Sequence, residues 1–263
     1  MMDIMDKIVK RTVLRVSELK QQKSMIQVMT QAAARNSNTG FPFEQAMKTN
    51  GMSFICEIKK ASPSKGILDE VFPYLQIARE YEEAGAAAIS ILTEPHWFLG
   101  SDQYLSEISE IVKIPVLRKD FTIDSYQIYE AKLIGASAIL LICALLDTNT
   151  LKEYLRIAKS LGLSAVVETH TAEEVGSAID SGASIIGVNN RNLKTFEVDI
   201  TTSIRLRSLV PKDIIFISES GIKTTEDVAE LKKNNIDAVL IGETLMRSKN
   251  KKEQLAILRG DLE

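Results

Sequence analysis

Eight short apolar runs rich in β-branched residues alternate along the chain with stretches whose apolar residues recur at helical spacing. The runs are Phe54–Ile58, Ala87–Leu92, Pro115–Lys119, Ala138–Ile142, Ser164–Glu168, Ser184–Val188, Asp213–Ser218 and Asp237–Gly242. Between them, sets such as Tyr74, Ile77, Ala78, Tyr81 and Leu151, Tyr154, Leu155, Ala158 mark one face of a helix. A βα unit repeated eight times predicts an α/β protein with a parallel sheet, and the lack of linker-like segments favours closure over an open sheet. The expected fold is one (β/α)8 TIM barrel domain over residues 1–263, with residues 1–50 as an N-terminal helical extension. Within the extension, Asp3–Lys10 and Val16–Ala34 have helical spacing, 36–40 is a break, and Phe43–Lys48 makes a further turn. These helices have two possible seats, the barrel bottom or its mouth.

Punctuation supports the repeat. Gly85, Gly135 and Gly182 each stand between a helical stretch and an even-numbered strand, where a left-handed residue ends the helix. Before the eighth strand Asn235 holds that place, and Asn is the next best residue for that backbone.

With 32 Lys and Arg against 35 Asp and Glu, the net charge is −3 and both signs are scattered, so neither a nucleic-acid stripe nor a basic membrane face is indicated. An anionic partner must be held locally. The longest apolar run, Ala138–Leu146, is too short for a membrane span, and charges throughout the first thirty residues leave no apolar centre for a signal peptide; a cytosolic protein is expected. Cys56 and Cys143 are far apart in sequence without Cys or His neighbours, which points to neither a disulfide framework nor a zinc motif.

In such a barrel the chemistry sits where strands end. Residues two apart share a face, so Ile55, Glu57 and Lys59 point one way and Phe54, Cys56 and Ile58 the other. Strand three ends in Arg118-Lys119, strand five in Glu168, strand six runs into Asn189-Asn190-Arg191 and strand seven into Ser218-Glu219-Ser220-Gly221. If the eight ends ring one mouth, these groups converge; the alternative is a salt-bridge cluster, the more so for Arg118 and Lys60, whose parity points outward. The sign of any shift in the Lys119 pKa is open, because a second lysine lowers it and a carboxylate raises it. Neither His96 nor His170 has a partner at metal-ligand spacing, so no metal is expected, and His170 reads as a loop or helix-start residue. Trp97 and Phe98 are either loop core or the wall of an aromatic pocket. The glycine turns at Ser220-Gly221 and Gly242-Glu243-Thr244 follow strands seven and eight, the usual phosphate site of this fold.

These strand-end segments resemble the indole-3-glycerol-phosphate synthase family of tryptophan biosynthesis. The resemblance rests on Phe54–Gly66, Leu117-Arg118-Lys119-Asp120-Phe121, Val167-Glu168, Val188–Leu193, Ser218–Ile222 and Gly242–Met246, in order, and on the opening segment Ile4–Val9. Departures are small: Asn192 for the family's usual Asp, Trp97 where Phe or Tyr is common, Asn235 for Gly. The resemblance implies ring closure, decarboxylation and dehydration of 1-(2-carboxyphenylamino)-1-deoxyribulose 5-phosphate, without cofactor or metal. It implies Lys119 as general acid, Lys59 near the substrate carboxylate or as a second acid, Glu168 as acid/base in dehydration, and Glu57 in positioning and proton transfer. Asn189 and Arg191 would orient the substrate, while Ser62, Ser220, Gly221, Gly242 and the backbone N–H of Glu243 would hold its phosphate. Phe98, Phe121 and Leu193 would wall the anthranilate ring. Two alternatives are a ribulose-phosphate isomerase, which has no need of the Glu57, Lys59 and Lys119 arrangement, and a barrel that has lost catalysis and serves as a scaffold. Because barrel and extension account for all 263 residues, a monofunctional enzyme is expected; association with other tryptophan-pathway enzymes is left open.

Overall fold

A computed structural model describes residues 4–48, 51–192 and 195–262. The chain opens with helices α1 (Ile4–Gln22), α2 (Met25–Ala33) and α3 (Pro42–Met47). Next come β1 (Ser53–Ile58), a small hairpin of β2 (Ala61–Ser62) and β3 (Gly66–Ile67), α4 (Tyr74–Glu83), β4 (Ala88–Leu92), α5 (Asp102–Ile111), β5 (Val116–Lys119) and α6 (Ser125–Leu133). The second half runs β6 (Ala138–Ile142), α7 (Thr148–Ser160), β7 (Ser164–Thr169), α8 (Ala172–Asp180), β8 (Ile185–Asn189), α9 (Thr201–Arg207), β9 (Ile215–Glu219), α10 (Thr225–Lys233), β10 (Ala238–Ile241), α11 (Glu243–Arg247) and α12 (Lys251–Arg259). Strands β1 and β4 to β10 pair in parallel and close, with β1 hydrogen-bonded to both β10 and β4. This is the expected (β/α)8 barrel.

The parity read from sequence holds in space. Ile55, Leu117, Leu140, Val166, Ile217 and Leu240 pack in the lumen, whereas Phe54, Cys56, Ile58, Ile139 and Val167 face the surrounding helices. The helix stops are also as read: Gly85, Gly135 and Gly182 have φ of 78°, 93° and 85°, and Asn235 has φ 57°. Each places its backbone in the left-handed region that turns the chain from helix to strand.

The extension divides into different segments than its periodicity predicts. Helix α1 runs unbroken to Gln22, and the break falls at Ser24, whose hydroxyl accepts from the Gln27 N–H while the Gln27 side chain accepts from the Ser24 N–H. This reciprocal cap starts a new helix where apolar spacing alone shows continuity. The two possible seats are both occupied. Phe43 and Met47 of α3 pack against Ala88, Ala138 and Ile215 near the strand N-termini and plug the bottom. Helix α1 reaches the mouth, where Ile4, Met5 and Ile8 line the cavity. The hairpin of β2 and β3 and the short α11 are additions not read from the sequence, whereas α12 is the eighth helix of the βα repeat.

Candidate active site

A cavity of about 510 Å³ opens at the C-terminal ends of the barrel strands. Glu57, Lys59, Lys119, Glu168, Asn189, Arg191, Ser62, Ser220, Gly221, Gly242, Glu243, Phe98 and Phe121 all line it. Leu193 lies outside the described residues.

The floor is a ring of charge set on the last lumen layer. Lys119 Nζ lies 2.9 Å from Glu168 Oε2 and 3.1 Å from Glu219 Oε2. Lys59 pairs with Glu57 at the end of β1, and Asn189 Nδ2 donates to Glu168 Oε1 over 3.2 Å. Glu219 is the group that strand-end reasoning did not single out. Its signal is present, since Ile215, Ile217 and Glu219 share parity as Ile55 and Glu57 do, but the strand read as ending at Ser218 stops one residue short. Two glycines make room for the carboxylates. A Cβ on Gly187 would overlap Glu219, and one on Gly242 would overlap Glu57.

Three carboxylates facing two ammonium groups leave the ring short of positive charge, and the pKa shifts follow. Burial disfavours the ammonium of Lys119, but Glu168, Glu219 and Glu57 outweigh it and raise its pKa. That settles the sign left open by the sequence: Lys119 carries its proton throughout the neutral range. Burial works against ionised Glu168, yet Lys119 and His170 overcome it and lower its pKa. Glu219 goes the other way. Its burial, opposed by Lys119 and reinforced by the Glu168 charge, pushes it up to about 7, and its Oε1 is buried without a hydrogen-bond partner among the described residues. Two carboxylates sharing one ammonium do not ionise equally, which gives this floor one base and one group poised to hold a proton.

The walls are shaped by loops. Glu94, buried after β4, accepts from the backbone N–H groups of His96, Trp97 and Phe98 at 2.9, 2.7 and 3.0 Å. This clamp turns the Phe98 ring into the cavity, 6.0 Å from that of Phe121. Trp97 instead packs edge-on to His96 outside the lining, so only Phe98 of the two is wall. Arg118, of outward parity, is buried among helices and binds Asp102, Glu130 and the Gln127 carbonyl, a structural role. On the opposite wall Ser220 and Gly221 have φ of 69° and 86°. Consecutive left-handed residues turn their N–H groups to one side, and a non-glycine residue held there is strained. Asn190 supports the turn by donating to the Ser220 carbonyl at 3.0 Å. Lys65, Arg191 and Arg247 meet the Glu243 carboxylate at 3.4, 4.0 and 3.1 Å beside it.

The arrangement thus joins an acid/base floor, an aromatic wall and an anion corner. Residues 5–258 match the family model described as indole-3-glycerol phosphate synthase. The chain belongs to the indole-3-glycerol phosphate synthase family. It is 62% identical over 257 residues to the indole-3-glycerol phosphate synthase of Ruminiclostridium cellulolyticum, covering 98% of this chain and 99% of the relative. With the synthase of Endomicrobium trichonymphae it shares 56% identity, over 97% and 99% of the two chains. Among solved structures, 3-hexulose-6-phosphate synthase from Salmonella typhimurium superposes with a TM-score of 0.65 at 15% identity, over 79% of this chain and 96% of that one. At that identity the likeness is one of fold. The synthase family and its barrel are therefore as the sequence motifs imply.

Proposed function

We propose that the chain closes, decarboxylates and dehydrates 1-(2-carboxyphenylamino)-1-deoxyribulose 5-phosphate to indole-3-glycerol phosphate, with Lys119 as the acid of ring closure. The observation that carries this reading is the position of the Lys119 ammonium, kept protonated at the cavity floor between Glu168 and Glu219. The substrate phosphate takes the corner of Ser62, Ser220, Gly221, Gly242 and the Glu243 N–H, and the aromatic ring lies against Phe98 and Phe121. That pose spans the cavity and brings the ribulose carbonyl over the floor.

As the ring carbon bearing the carboxylate attacks the carbonyl carbon, the oxygen gains negative charge and takes a proton from Lys119. Loss of carbon dioxide restores the aromatic ring. The new hydroxyl then leaves as water with a second proton, from Lys59 or Lys119, while Glu168 removes a proton from the adjoining methylene. Asn189, bonded to Glu168, and Arg191 orient the substrate, and Glu57 holds Lys59. Lys119→Ala abolishes turnover but changes substrate affinity by less than about tenfold, since an acid acting in the transition state contributes to kcat rather than to binding. The fluorescence of the indole product reads this directly, and retention of more than about a tenth of the wild-type rate removes Lys119 from the role.

The isomerase alternative leaves the Glu57, Lys59 and Lys119 ring without a task. In our reading the extension belongs to the same single domain, because α3 closes the lumen from below and α1 walls the mouth. The phosphorylated substrate, which does not cross membranes unaided, suits a cytosolic enzyme. Among the described residues no helix is long and apolar enough to cross a membrane.

A further inference from the structure

His170 follows β7 directly and points back toward the floor. Its Nδ1 lies 3.2 Å from Glu174 Oε2 on α8, and the same carboxylate oxygen accepts the His170 backbone N–H at 2.6 Å. A carboxylate only accepts, so Nδ1 carries a proton. On the other side of the ring Nε2 is buried, has no hydrogen-bond partner among the described residues, and lies 3.5 Å from Glu168 Oε1. If the imidazole were neutral, a bare nitrogen lone pair would be buried facing a carboxylate oxygen, an arrangement that is unfavourable for both groups. Protonation of Nε2 turns that repulsion into an ion pair.

We propose that His170 is a positioning residue for the reaction: held by Glu174, it stands as an imidazolium behind Glu168 and keeps that carboxylate ionised and oriented when Lys119 engages the substrate. Glu168 divides its two oxygens, Oε2 to Lys119 and Oε1 to Asn189 and His170. Once Lys119 turns to the ribulose oxygen, Oε2 loses its counter-charge, and the cation at Oε1 is what remains. The groups facing His170 are Glu168 on β7, Glu174 on α8 and Glu219 on β9, with Lys119 behind Glu168. Cys143, whose thiol lies 3.5 Å from the Glu174 carbonyl, is pushed up to about 12 by burial and the charges of Glu174 and Glu168 and stays neutral. Burial opposes the imidazolium, and the carboxylates outweigh it, so the His170 pKa lies above its ordinary 6.5.

The inference rests on Glu168 being the acid/base of the reaction, and the test separates the two. The chain has only two histidines, so a ¹H NMR titration of the wild-type protein, assigned with His96→Gln, reads His170 directly. Its midpoint is expected above 6.5 and falls by about one unit in Glu168→Gln. In His170→Gln, which keeps a hydrogen-bonding side chain without the charge, the acidic limb of the kcat profile moves to higher pH by about half a unit to one unit while KM stays within about twofold. Glu174→Gln moves it the same way by less. A wild-type midpoint at or below 6.5 overturns the proposal. So does an unmoved limb in His170→Gln when Glu168→Gln is inactive, whereas wild-type turnover by Glu168→Gln overturns the Glu168 assignment and this inference together.

Discussion

Glu168 and Glu219 flank the same ammonium, yet their environments drive them to opposite protonation states. The consequence for stability has a definite sign. Between its ordinary 4.5 and about 7, Glu219 in the folded protein holds a proton that the unfolded chain has already released, so stability falls as pH rises through that window. Glu168 and Asp120, with lowered values, act in a separate window: they stabilise above their unfolded values, and that contribution is lost as pH falls through their folded ones. Glu219→Gln therefore flattens the dependence of the thermal midpoint on pH between 5 and 7, as about one titrating group fewer, and leaves the acid limb in place. A midpoint that changes with pH as in the wild type would show that Glu219 titrates normally. At the anion corner, Ser220→Asp keeps a residue type that tolerates the left-handed backbone but adds a charge where we propose that the phosphate binds. We expect KM for the phosphorylated substrate to rise at least about tenfold with a smaller change in kcat, and an unchanged KM in steady-state kinetics would remove Ser220 from the corner.

An ion pair ties helix α1 to the end of strand β5, which carries Lys119. Arg15 Nη2 donates to both oxygens of Asp120, at 2.8 and 2.7 Å, and Asp120 follows Lys119 immediately. Asp120 is buried and also accepts from Thr93 Oγ1 at 2.9 Å, with Arg118 at 3.4 Å. Truncating Arg15 leaves that carboxylate short of one of its two cations in a dry site, a loss of about 1–3 kcal/mol. For Arg15→Ala we expect a thermal midpoint lower by several degrees, roughly 2–4 °C per kcal/mol for a chain of this size. KM should also rise, because α1 brings Ile4, Met5 and Ile8 to the cavity wall. Calorimetry and steady-state kinetics check the two parts, and loss of neither would show that the buried Ile8, Thr12 and Val16 and the Lys20–Asp124 pair hold α1 without Arg15.

The two core layers extend around the whole barrel, so they are exposed together only by global unfolding. Cys56 lies fully buried in the layer between strands and helices, and burial pushes its thiol up to about 12. Its reaction with a disulfide reagent should be absent in the native state and, in denaturant, follow the unfolding rate. Prompt labelling at Cys56 itself, told apart from the less buried Cys143, would reveal local opening at β1. Such a closed layer also explains which features were readable in one dimension. The period-two alternation of β1 and β5 records a lumen face and a helix face, because each strand is buried on both sides by different neighbours. Left-handed stops at Gly85, Gly135, Gly182 and Asn235 are local backbone chemistry, and they were legible for that reason.

Strand order, strand parity, helix stops and the identity of the family thus follow from local patterns and contiguous motifs. The pairing of Lys119 with both Glu168 and Glu219, the divergence of those two carboxylates, and the seating of α3 below and α1 above depend on closure of the barrel. Each joins residues 49 to 105 positions apart or more than one element at once. A pKa is set by what surrounds a group within a few ångströms, and the sequence holds that information only after eight strands have been brought into a ring.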